Sequence, residues 1–235
     1  MITFSTETTV GALVCAVPAR VQIFEKLRID YCCGGKKPLG EACRERGLDP
    51  VTVMTMLEAV AGNEAEASAA DVAGMTLTEL CDHIVQTHHQ YLRDELPRLD
   101  FLTRKVAAVH GETEPRLVEI RKVFQDFARE IRHHALEEEQ VAFPQLRALE
   151  SSDRPDATSE ELEGIFAQLE SEHDEAGEAL VKFRTLTDDF SPPEWACNTF
   201  RVLYASLAAL ERDMHQHVHK ENNVLFPRAL AAFAA

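Results

Sequence analysis

From Thr76 onward the apolar positions step by three and four, and four long stretches share that rhythm. The first runs to about Val109, with a bend expected after Leu96 because Pro97 follows. The second, about Glu114 to Leu149, puts Ile120, Phe124, Phe127, Ile131, His134, Glu138 and Val141 on one stripe. The third, about Ser159 to Thr187, does the same with Leu162, Phe166, Leu169, His173, Ala176, Leu180 and Phe183. The fourth, about Pro193 to Phe233, aligns Leu203, Leu207, Leu210, Met214, His217, Glu221 and Val224. Each stripe buries one helix face, and the connections are short enough for antiparallel neighbours. The pattern predicts an all-α fold, an antiparallel four-helix bundle. Pro144 and Pro227 fall late in their helices, where each removes a backbone hydrogen bond and predicts a kink or a local ending.

Residues 1–60 read as a small helical domain. Thr9, Leu13 and Val17 begin a stripe that Val21, Phe24 and Leu27 continue after Pro18. Gly34, Gly35 and Pro38 then interrupt it, and two short helices follow, Leu39 to Arg46 and Asp49 to Val60. Residues 61–75 are rich in Ala, Gly, Asn, Glu and Ser, with little bulk, and read as a linker. The bundle then occupies 76–235.

A duplication inside the bundle carries the chemistry. His134, Glu138, Val141, Phe143 and Pro144 return as His217, Glu221, Val224, Phe226 and Pro227, each at an offset of 83 residues. Residues four apart lie above one another on a helix, so two matching imidazole–carboxylate pairs face the core. A carboxylate there costs several kcal/mol unless it is paired or metal-bound. One such pair is ordinary; a twin with the same Val and Phe-Pro context points to a di-metal centre. His173 continues the apolar stripe of the third helix. On the first helix both His88 and His89 qualify, and periodicity does not choose between them. Four His and two bridging Glu, with a solvent-derived oxo or hydroxo bridge, would leave each ion room for a further ligand. Nitrogen and oxygen donors suit iron or manganese, with zinc chemically admissible.

The formal net charge of -16 argues against a nucleic-acid partner, which needs a basic surface, and against attraction to anionic membranes. No apolar run approaches the roughly 20 residues of a membrane span. The N-terminal stretch has no basic start and contains Glu7, so it reads as a helix rather than a signal peptide. Six Cys are too sparse for a disulfide scaffold, and free thiols fit a reducing, cytoplasmic compartment. Cys32 and Cys33 are adjacent, a poor chelate for one metal. Lys36 and Lys37 are expected to lower their thiol pKa, and Gly34 and Gly35 to leave them exposed. Cys15, Cys43, Cys81 and Cys197 read as packing residues.

Three segments make the chain recognisable: Asp30 to Gly35, Glu170 to Gly177, and Glu221 to Leu230. With them it resembles the iron-sulfur cluster repair di-iron proteins of the hemerythrin-like superfamily, over nearly its whole length. The resemblance implies a hemerythrin-like bundle holding two iron ions per chain. Its implied ligands are His89, His134, Glu138, His173, His217 and Glu221, with His89 and His217 on one iron, His134 and His173 on the other, and both Glu bridging. His133, His215 and His219 lie about 100° round their helices from the nearest ligand and are left out. Glu130, one turn before His134, and Glu172, next to His173, are candidates to orient a ligand imidazole or relay a proton. Cys32 and Cys33 are implied to be functional thiols.

The implied role is repair of iron-sulfur clusters damaged by nitric oxide or oxidants, by nitric oxide binding and reduction or by iron donation. Its partners would be nitric oxide or another small diatomic ligand and damaged iron-sulfur proteins, with a homodimer among its options. Two other readings compete. A non-catalytic sensor or carrier of nitric oxide or oxygen would respond to gas without turnover. A structural, metal-stabilised bundle would unfold on metal removal and ignore redox state.

Overall fold

Helix starts follow from the caps. Thr9 accepts from the Ala12 backbone, the Asp49 carboxylate from Thr52, and Thr158 and Glu161 form a reciprocal capping box. Thr76 and Glu79 exchange the same two bonds. The computed structural model describes residues 4–61, 72–150 and 158–233. Its helices are α1 (Val10–Ala16), α2 (Val21–Leu27), α3 (Leu39–Glu45), α4 (Pro50–Ala61), α5 (Leu77–Ile84), α6 (Gln90–His110), α7 (Arg116–Glu137), α8 (Phe143–Ala148), α9 (Ser159–Leu186), α10 (Asn198–Lys220) and α11 (Phe226–Phe233). Among the described residues there is no strand. The fold is all-α, a hemerythrin-like helical bundle with helices N-terminal to it. No described helix is long and apolar enough to cross a membrane.

Three junctions between helices are π-helical turns: Val85–His89, Glu138–Ala142 and Glu221–Leu225. Each closes on a bond spanning five residues, Gln90 N–H to Val85 O, Phe143 N–H to Glu138 O and Phe226 N–H to Glu221 O. The expected disturbance at Pro144 and Pro227 therefore takes the form of a wide turn just before each proline, and the helix resumes. Pro97, by contrast, lies inside α6, which continues to His110.

The chain divides into two compact units, residues 81–214 and residues 1–80 with 215–235. Within 81–214, α7 packs against both α6 and α9. Leu96 and Leu99 are buried there, and so are Ile120, Phe124, Phe127, Leu162, Phe166 and Phe183, which lie on the faces the stripes predict. Val141 departs from its stripe and is 49% exposed. It lies inside the π turn that begins at Glu138, whereas Val224, at the same place in the turn that begins at Glu221, is buried. In the other unit Val10, Leu13, Phe24, Tyr31, Leu39, Cys43 and Leu57 form a core. Arg20 is buried within it, donating to Leu13 O at 3.0 Å and Leu57 O at 3.4 Å. Residues 62–71, most of the expected linker, lie outside the described residues.

Candidate metal centre

Each π turn carries a candidate ligand at one of its ends: His89 closes the first, Glu138 opens the second and Glu221 opens the third. Wide turns of this kind concentrate at functional sites because they re-aim side chains without ending the helix. Glu138 uses its two oxygens separately. Oε2 lies 3.2 Å from His89 Nε2 and Oε1 lies 3.5 Å from His134 Nε2. His173 Nε2 lies 2.8 Å from His134 Nε2, and His217 Nε2 lies 2.8 Å from Glu221 Oε1. Two donors at right angles, each about 2.1 Å from one ion, sit about 3 Å apart. The observed spacings match that arithmetic.

Donor atoms gather in two groups, within each of which all lie inside 4.8 Å of one another: His89, Glu138, His217 and Glu221, and His134, Glu138, His173 and Glu221. Both carboxylates belong to both groups. The six side chains are buried, Glu138, His217 and Glu221 completely. Two carboxylates with no solvent exposure need counter-charge, and imidazole nitrogen with carboxylate oxygen is a donor set that divalent iron, manganese or zinc accepts. The residues fit a metal-binding site.

Two of the four imidazoles are oriented from behind. His89 Nδ1 donates to Glu139 Oε1 at 2.7 Å, and His134 Nδ1 donates to Glu172 Oε2 at 2.7 Å. A proton held on Nδ1 leaves the Nε2 lone pair for a cation. Arg93 also donates to Glu139 and Gln168 to Glu172. Burial raises both carboxylate pKa values, but these hydrogen bonds lower them by more, so both lie below the ordinary range. Glu172 thus serves His134 on α7, not its chain neighbour His173. Glu139 is its counterpart at His89 and was not legible from spacing, because the contact joins two helices. Glu130 pairs with Arg129 at 3.1 Å. It lines a cavity of about 390 Å³ that also touches Phe127, Ile131, His134 and Glu172.

His88 points elsewhere, 2.9 Å from Asp213. In the unit containing the N-terminus, His215 lies 2.8 Å from Glu25, and His219 meets the Tyr31 carbonyl at 3.2 Å. Burial pushes the His219 pKa down to about 4. His133 is surface-exposed beside Glu137.

A family described as the hemerythrin HHE cation binding domain matches residues 80–229, and a domain of unknown function named ScdA_N matches 6–61. The iron-sulfur cluster repair protein YtfE of Musicola paradisiaca (strain Ech703) is 34% identical over 226 residues, covering 95% of this chain and 96% of its own length. That of Yersinia pseudotuberculosis serotype IB (strain PB1/+) is 34% identical over 226 residues, covering 94% and 96%. That of Edwardsiella ictaluri (strain 93-146) is 36% identical over 222 residues, covering 94% and 95%. The chain belongs to the iron-sulfur cluster repair protein family.

In this family member Cys32 is not the exposed, activated thiol its flanking residues suggest. Cys32 is buried, and its thiol pKa is raised well above the ordinary value by the hydrogen bond with Cys33, by burial and by Asp30. Lys37 pairs with Glu45 instead. Cys33 is half-buried. Cys43 and Cys81 are buried as packing residues, whereas Cys15 and Cys197 are exposed, beside His219 and His110 respectively. The Cys32 carbonyl is held by Asn223, whose Nδ2 donates to it at 2.9 Å and to Tyr31 O at 3.3 Å. Asn223 fits only because Gly11 and Gly35 lack side chains: a Cβ on either would come within 2.4 or 2.1 Å of its Oδ1. The turn that begins with Glu221 is thereby tied to the Cys-Cys segment.

Proposed function

We propose that this chain is a di-iron protein that repairs iron-sulfur clusters damaged by nitric oxide or oxidants. The observation that carries the reading is the divided use of Glu138, one oxygen toward His89 and the other toward His134. A carboxylate so placed suits a bridge between two ions. The ligands would be His89 and His217 on one iron, His134 and His173 on the other, with Glu138 and Glu221 shared and a solvent-derived bridge completing the pair. When bound, two adjacent irons supply redox equivalents for a small diatomic ligand, or iron for a depleted cluster. The protein's own part is to aim Nε2 of His89 and His134, to neutralise charge with two buried carboxylates, and to hold the Nδ1 protons of those two imidazoles in hydrogen bonds to Glu139 and Glu172.

The cavity beside His134 has room for a diatomic molecule such as nitric oxide or oxygen. The relatives are named for cluster repair, and that activity comes to this chain as part of the proposal. The test is restoration of activity to an iron-sulfur enzyme inactivated by nitric oxide. Wild-type protein should restore it and Glu221→Ala should not. Equal restoration by both would reject the reading.

A further inference from the structure

Outside the His/Glu centre, one other cluster in the described residues has metal-binding geometry. Donor atoms of Asp30, Cys32 and Cys33 lie within 4.8 Å of one another. Adjacent cysteines alone make a poor chelate, and the structure supplies what sequence spacing lacks. Asp30 turns back over the pair, its Oδ1 accepting from the Cys32 backbone N–H at 2.9 Å and from the Cys32 thiol at 3.2 Å. Gly34 permits this fold: a Cβ there would stand 3.1 Å from the Asp30 carboxylate. The Cys32 carbonyl is fixed by Asn223 and by the Gly35 N–H at 3.3 Å. Neither cysteine is in a disulfide.

We propose that Asp30, Cys32 and Cys33 form a second, distinct binding site for one thiophilic divalent cation. Two thiolates and a carboxylate suit zinc or ferrous iron, and differ in kind from the all-nitrogen-and-oxygen centre of the bundle. Three protein donors leave a fourth position open, as in sites that exchange a ligand rather than lock a metal away. Burial is graded across the cluster, with Cys32 buried, Cys33 half-buried and Asp30 exposed. The Asp30 edge is therefore the side from which a cation would enter and leave. On binding, two S–H bonds break, two metal–sulfur bonds form, and two protons pass to solvent; no electron is transferred. The site is independent of the di-iron reading, since none of its donors belongs to either His/Glu group.

The test uses the full-length, iron-loaded protein with thiols reduced and counted, titrated with cobalt(II). Only thiolate ligation gives an intense near-ultraviolet sulfur-to-cobalt charge-transfer band. The expected result is a saturable band at one added equivalent, displaced by zinc and lost in Cys33→Ser. Asp30→Asn, which spares both thiols, should weaken cobalt binding by on the order of tenfold. His89→Ala should keep the band whatever happens to the bundle iron, so failure of the two readings can be told apart. Helical circular dichroism checks that each variant is folded. No band with both thiols reduced, or unchanged affinity in Asp30→Asn, would overturn the proposal.

Discussion

Glu138 reaches two imidazoles on two different helices, and that sets the sharpest expectation for a single side chain. Glu138→Ala should lose more metal than His89→Ala, because it removes a donor shared by both groups and half of the buried negative charge. Element analysis of the two variants, purified side by side, checks this; equal retention would argue against a shared ligand. His134, Glu138, His217 and Glu221 were legible from the chain because four-residue spacing and an 83-residue repeat are local, countable features. His89 was not separable from His88 by period, since both sit in a π turn where the 3.6-residue rhythm fails. Glu139 was hidden for another reason: its role depends on His89, 50 residues away on another helix. For Cys32 the near neighbours Lys36 and Lys37 suggest activation, while the hydrogen bond with Cys33, burial and Asp30 raise its pKa.

Helix existence followed from patterning, and helix interruption did not. The stripes placed four long helical stretches within a few residues, α5 through α6, α7 through α8, α9, and α10 through α11, because a continuous apolar face is written every three or four positions. The π turns leave no such mark. Pro144 and Pro227, each just past a π turn, hinted at them. The turn starting at Glu221 also positions Asn223 in its slot between Gly11 and Gly35, which gives an element-level test. Gly35→Ala should destabilise the protein by about 1–3 kcal/mol, the usual cost of forcing extra atoms into filled space. Asn223→Ala should relieve much of that cost, so the double variant should be less destabilised than the sum of the singles. Chemical denaturation midpoints measure both; strict additivity would mean the slot does not couple the two segments.

At the scale of the molecule, the six candidate ligands and the paired cysteines are separate pieces of chemistry. Replacing Cys32 and Cys33 together by Ser should leave bundle iron content and its optical spectrum close to wild type, while cluster repair falls. Loss of iron in that variant would place the thiols at the His/Glu centre. Unchanged repair would return them to packing. The all-α architecture was readable from periodicity because each long helix buries its own stripe. The N-terminal segment was readable only as short helices, since its buried Arg20 and its contacts with His215 and His219 arise from residues far apart in the chain. The central claim is a two-iron centre with shared carboxylates. It is tested most directly by metal analysis of protein isolated without added metal, with spectroscopy of the reduced form under nitric oxide. The account predicts close to two iron atoms per chain and a reduced spectrum that changes as nitric oxide binds. One metal per chain, or none in folded protein, would contradict it.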